Sequence, residues 1–255
     1  MNTSLKSRLN TINSLIAPEA SPTIKPTYID CSAEVSPHFK HDSSVETTSG
    51  HQYPPELVGL IEQNDGWTLD CGSGSRDRTF DNVVNFEIQP YNGVDVVGTA
   101  EQLPFKDGTF DLVISLAVLE HVKDPKKVAL EMQRVLKPGG LLWIDTAFLQ
   151  PYHGFPAHYY NMTQQGLELL LEKNMKVIKN AVPRYGTPIW SITWIISRYA
   201  ASLPNELREK FLALPLSELL QSPEYLCEEE WSKELPEEAR KELAATVSVL
   251  ARKQL

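Results

Sequence analysis

Two glycines one residue apart, Gly72 and Gly74, follow an acid, Asp70, at the end of a short apolar run led by Trp67. A buried strand that breaks into such a turn lets backbone approach a ligand closely, because glycine has no Cβ and takes positive φ freely. A second acid, Glu87, closes the next apolar run, Val83–Phe86, 13 positions after Gly74. A glycine turn with an acid at the following strand end is chemistry for holding a small ligand by its polar groups. Three histidines, His121, His153 and His158, are the side chains suited to carrying a proton near neutral pH. His121 has a second reading, as a structural residue capping the next helix.

These residues need strands that end together. Further apolar runs at Val94–Val97, Phe110–Leu116 and Leu141–Ile144 alternate with helical patterns. That alternation implies an α/β fold: a doubly wound, mostly parallel seven-stranded sheet whose ligand lies at the carboxyl ends of the strands. The polar stretch Ser75–Asn82 leaves room for a compact first crossover, about a single helical turn. A helix over Pro125–Leu136 carries a buried stripe of Val128, Met132, Val135 and Leu136, and Lys137–Gly140 stops it. Thr163 should cap a helix through Leu171, and Met175–Ile178 should be the sixth strand. From Pro188 to about Glu238 the pattern is helical, and 246–253 alternates as a last strand. The expected organisation is an N-terminal arm, 1–52, with a short helix within Leu5–Ile16; a core, 53–184; a helical cap, 185–240, inserted before the last strand; and 241–255 returning to the sheet.

With 255 residues, 42% of them hydrophobic, one elaborated domain can bury most of its apolar surface. A formal charge of -9, with no basic run beyond Lys126-Lys127, argues against nucleic acid as a partner. Cys31, Cys71 and Cys227 form neither a CxxC pair nor a disulfide framework, so a reducing cytoplasm is the expected location. Met1–Leu15 lacks the continuous apolar core of a secretory signal, and no run reaches membrane-spanning length. Ile189–Ile196 is apolar on more than one face and is read as a buried lid helix, with weak contact to a membrane surface as the alternative. Cys227–Glu230 is a solvated face.

A dinucleotide would need G-x-G-x-x-G, and the third glycine position is Asp77, which repels a phosphate. A different family fits better. Leu69–Gly74, Ala100–Phe105, Phe110–Val113, Leu119–Val122 with Asp124-Pro125, and Arg134–Gly140 occur in an order that resembles the class I S-adenosylmethionine-dependent methyltransferases, in particular the methyltransferase type 11 group. The resemblance covers about 66 to 180, and the stretch near 246–253 fits too.

The resemblance implies that Asp70, Gly72 and Gly74 form the turn beneath the methionine part of the cofactor, S-adenosyl-L-methionine, with backbone amides holding its carboxylate. It implies that Glu87 accepts both ribose hydroxyls, that Thr99, Ala100 and Glu101 lie at the adenine, and that Ser115 and Leu116 line the floor beside the sulfonium. Arg76 stands where the family often has glycine, and Thr99 where it usually has aspartate. Methyl transfer asks mainly for alignment and exclusion of water, with a histidine useful where the acceptor must lose a proton. His153 and His158 lie in an aromatic loop resembling a type 11 segment that ends Asp-Tyr-X-Arg-X-Thr. Here the ending is His158–Thr163, without the acid and the arginine. A metal held by His153 and His158 lacks a third ligand, so no metal is expected. Tyr152, Tyr159 and Tyr160, with Trp190, are expected to wall the substrate. The reaction implied is O-, N- or C-methylation of a small or medium-sized, partly apolar molecule. The other reading is a catalytically silent relative that binds a partner through this fold.

Overall fold

The computed structural model describes residues 3–32, 52–78, 80–154, 157–171, 175–245 and 252. The chain divides into two compact units, one of 1–147 with 159–178 and one of 148–158 with 179–255.

The first unit contains, in chain order, α1 (Thr3–Asn13), β1 (Thr23–Ile24), β2 (Ile29–Asp30), α2 (Pro55–Glu62), β3 (Thr68–Cys71), β4 (Val83–Glu87), β5 (Val96–Val97), β6 (Phe110–Leu116), α3 (Pro125–Val135), β7 (Leu136–Asp145) and α4 (Gln164–Leu171). The strands make one seven-stranded sheet in the order β1-β2-β5-β4-β3-β6-β7. Every neighbouring pair is parallel except β1 with β2. Side chains alternate across it: Val113 joins a cluster with Val128, Met132 and Val135 of α3, while Leu112, Ile114 and Leu116 join one with Leu57 and Ile61 of α2. Helices therefore cover both faces, and the expected mostly parallel α/β fold is the one found.

Two of the seven strands are not the expected ones. Met175–Ile178 is not in a strand; Met175 packs on the core, but Val177 and Ile178 face outward. The last strand, 246–253, lies outside the described residues save Arg252, which is in no regular element. β1 and β2 of the N-terminal arm extend the sheet instead. Residues 3–32 are thus built into the first unit rather than standing off it. Leu9 and Ile12 of α1 are fully buried in the main cluster, each worth roughly 1.5–3 kcal/mol over exposure. Arg8 grips the fully buried Asp95, with Nε donating to Oδ1 at 2.9 Å and Nη2 to Oδ2 at 2.8 Å. Arg78 Nε and the Asn85 amide donate to the same carboxylate, at 2.9 and 3.0 Å.

At the other edge β7 is longer than its apolar run. Phe110 pairs with Leu136 and Leu112 with Leu141, so the Lys137–Gly140 turn is absorbed as an irregularity within one strand. Thr163 caps α4 as expected, its Oγ1 accepting from the Gly166 amide at 3.1 Å.

The second unit holds α5 (Pro188–Ser202), α6 (Asn205–Leu212), α7 (Pro223–Leu226), α8 (Glu230–Lys233) and α9 (Glu237–Glu242). Ala200, Leu203, Leu207, Phe211, Leu235 and Ala239 form its core, with Tyr199 stacked on Phe211 at 4.8 Å. Arg198 reaches Glu242 through Nε at 2.6 Å and Nη2 at 2.8 Å, and the Tyr152 amide donates to the Glu242 carbonyl at 2.9 Å. The lid-helix expectation is corrected here. The inward stripe of α5 begins only at Ile196, whereas Ile189, Trp190 and Ile192 are 58%, 57% and 50% exposed. No helix among the described residues is long and apolar enough to cross a membrane.

Candidate functional site

The glycine turn sits at the carboxyl end of β3, in the middle of the sheet. Gly72 and Gly74 have φ of 82° and 62°, in the left-handed region that favours glycine. A Cβ on Gly72 would lie 2.2 Å from Val118 Cγ2, so the backbone there touches the chain leaving β6. The amides of this turn already have acceptors. Those of Gly72 and Ser73 donate to the Phe86 carbonyl at 2.9 and 3.1 Å, that of Gly74 to Glu87 Oε2 at 2.9 Å, and that of Arg76 to the Asn92 carbonyl at 3.0 Å. Between Gly74 and β4 no helix forms among the described residues, so the expected single turn is absent and so is a helix N-terminus. The amides expected to receive the ligand's carboxylate thus have protein acceptors.

A side-chain cluster occupies this end of β3. Asp70 is fully buried; Tyr53 Oη donates to its Oδ2 at 2.6 Å, and Arg76 Nε lies 3.0 Å from the same oxygen. The Arg76 guanidinium also stacks 4.0 Å from the centroid of the Tyr53 ring. Burial pushes the Asp70 carboxyl upward, and Arg76 and Tyr53 act against it.

Glu87 lies one strand over. Its Oε2 accepts from the Gly74 amide and its Oε1 from the Ile88 amide at 2.7 Å. Burial pushes its carboxyl up, while the two amides pull it down. Anchored this way, an ionised carboxylate keeps acceptor capacity on both oxygens. Thr99 accepts from the Glu101 amide at 3.3 Å, capping a short turn over Ala100–Gln102. Glu101 Oε1 accepts from the Asp124 amide at 3.3 Å. Ser115 and Leu116 are buried at the end of β6, and Ala117 just beyond has a φ of 56°, a strained value for a residue with a Cβ.

Four buried oxygens on or just beyond these strands have no hydrogen-bond partner among the described residues: Asp70 Oδ1, Asn85 Oδ1, Ser115 Oγ and Glu120 Oε1. Buried polar atoms are normally paired, so atoms of this kind mark where a ligand's donors belong. Glu120, 1% exposed and bonded through Oε2 to Thr146 Oγ1 at 3.0 Å, was not legible as a site residue, nor was Tyr53. A ligand with a cationic amine and a hydroxyl pair fits what Asp70, Ser115 and Glu87 offer, and S-adenosylmethionine has both.

Of the remaining candidates, His121 ends the short turn Leu119–His121 after β6, its amide bonded to the Val118 carbonyl at 2.9 Å. The amides of Tyr159 and Tyr160 donate to the Glu120 carbonyl at 2.7 and 3.4 Å, and Tyr160 Oη donates to the Lys123 carbonyl at 2.9 Å. All of these belong to the first unit. His153, His158, Tyr152 and Trp190 belong to the second. There His153 Nδ1 donates to the Pro151 carbonyl at 2.7 Å. His158 Nδ1 accepts from the His153 amide at 3.2 Å. The rings of Tyr152 and His158 stack at 5.7 Å, and His153 lies 5.2 Å from Trp194. Trp190 Nε1 donates to the Arg184 carbonyl at 3.1 Å.

Residues 70–144 match the family model of a methyltransferase domain, which supports the expected resemblance to the class I, S-adenosylmethionine-dependent kind. The chain is 56% identical over 43 residues to a norajmaline N-methyltransferase of Rauvolfia serpentina, covering 17% of this chain and 15% of that one. It is 35% identical over 81 residues to an uncharacterized methyltransferase of Schizosaccharomyces pombe, covering 32% and 27%. The matches thus span well under a third of these relatives' lengths. Among solved structures, phosphoethanolamine N-methyltransferase 2 of Haemonchus contortus, in complex with S-adenosyl-L-methionine, is 19% identical with a TM-score of 0.40, covering 68% of this chain and 48% of that one.

Proposed function

We propose that this protein is an S-adenosylmethionine-dependent methyltransferase that methylates oxygen, nitrogen or carbon of a small or medium-sized, partly apolar acceptor. The observation that carries the reading is the Glu87 carboxylate, fixed by the Gly74 and Ile88 amides at the tip of β4 beside the glycine turn, inside the segment that matches the family. When bound, the cofactor supplies a methyl group already activated by its sulfonium. The protein's tasks are to hold, align and keep out water. Glu87 accepts from the ribose hydroxyls, Asp70 Oδ1 and Ser115 Oγ take donors at the amino-acid end, Thr99, Ala100 and Glu101 border the adenine, and Leu116 supplies an apolar floor. His121, in the first unit, takes a proton from an acceptor hydroxyl or amine. Tyr159 and Tyr160, 46% and 42% exposed in the first unit, offer aromatic surface to the acceptor.

Support comes from the family match over the core and from the chemistry of the strand ends. The test is a screen of small, partly apolar hydroxyl, amine and activated-carbon compounds with methyl-labelled cofactor. Label entering an extractable product, with S-adenosylhomocysteine formed alongside, is expected. Tight cofactor binding with no transfer to any class would favour a silent binding protein instead.

A further inference from the structure

On that reading, the cofactor's amino-acid end brings a carboxylate to a turn where the amides of Gly72, Ser73, Gly74 and Arg76 are already taken by protein acceptors. The cation beside the turn is Arg76, its side chain only 11% exposed. Its pairing with Asp70 is incomplete: Nε is close to Oδ2 but lacks hydrogen-bond alignment, Oδ2 is shared with the Tyr53 hydroxyl, and Asp70 Oδ1 has no partner among the described residues. A guanidinium desolvated this far gains most from a planar, bidentate anion.

We propose that Arg76 receives the cofactor's α-carboxylate in place of turn amides, while Asp70 Oδ1 receives the neighbouring ammonium. The Asp70–Arg76 pair is then a zwitterion facing a zwitterion of opposite order. The Tyr53 ring and hydroxyl are positioning elements, the ring fixing the guanidinium plane and the hydroxyl fixing Oδ2. This makes Arg76 a specificity residue for ligands that carry the amino-acid end.

The test compares two ligands on the full chain by calorimetry: S-adenosylhomocysteine, which has that end, and 5′-methylthioadenosine, which lacks it. Arg76→Met is expected to weaken S-adenosylhomocysteine by roughly 10- to 100-fold, the scale of a charged hydrogen-bond pair, and to leave methylthioadenosine within about two-fold. Equal losses for both ligands, or no loss for the first, would overturn the assignment. Should Arg76→Met fail to fold, Arg76→Lys carries the test. Its point charge should cost S-adenosylhomocysteine several-fold and methylthioadenosine nothing, and an unchanged ratio would overturn it equally. A folded wild-type chain that binds neither ligand removes the cofactor reading, and this assignment with it. Wild-type binding with an unmoved ratio removes the assignment alone.

Discussion

Glu87 and Asp70 are carboxyls that burial pushes above their ordinary range, in contrast to the usual surface acid held below it. An acid whose folded value is raised binds more protons folded than unfolded. Its favourable contribution is complete below the unfolded value and is lost as pH rises through the folded one. For Glu87 that window opens upward from the ordinary glutamate value of 4.5. We therefore expect Glu87→Gln, melted without cofactor, to gain on the wild type as pH rises through this window; a difference that does not change with pH would contradict the raised carboxyl. A site acid that is ionised at a stability cost is what a ligand-binding role requires, since the ligand's hydroxyls repay it. The two glycines and Glu87 were legible because each sits at the end of an apolar run. Tyr53 was not, since a lone tyrosine before Pro54-Pro55 has no periodicity, and Glu120 was not, since an acid between Leu119 and His121 reads as ordinary turn polarity until its burial is known. Arg76 was legible only as a departure from the resemblance, and its contacts are with Asp70 and the Tyr53 ring.

The element that sequence patterning undervalued is the N-terminal arm. A short helix was legible there, but α1 buries only Leu9 and Ile12, too few to signal docking, and β1 and β2 have two residues each. What docks them is long-range: Arg8 on Asp95, 87 positions away, together with the Ala17 amide on the Pro104 carbonyl at 2.9 Å and the Lys106 amide on the Leu15 carbonyl at 3.1 Å. Arg8→Ala leaves Arg78 and the Asn85 amide on Asp95, so it should destabilise by about 1–3 kcal/mol, as expected for a buried charged hydrogen bond. Leu9→Ala should cost roughly 2–5 kcal/mol. Denaturant melts read both, and a wild-type midpoint for each would mean the arm is not part of the fold. The converse misreadings, Met175–Ile178 as a strand and α5 as buried, share one cause. An apolar run reports burial propensity without naming the surface that would receive it.

At the scale of the molecule, the chain joins a family-like sheet to a helical unit with its own core. The helical unit's Tyr199, Phe211 and Trp231 pack on one another, with Phe211 and Trp231 at 5.2 Å. The family match stops at residue 144. The central claim concerns the cofactor, and calorimetric titration of the intact chain with S-adenosylmethionine tests it most directly. We expect saturable one-to-one binding that Glu87→Ala weakens by about 1–3 kcal/mol, the value of charged hydrogen bonds to the ribose. A folded wild-type chain that releases no heat, or binds as tightly without the Glu87 carboxylate, would contradict the account.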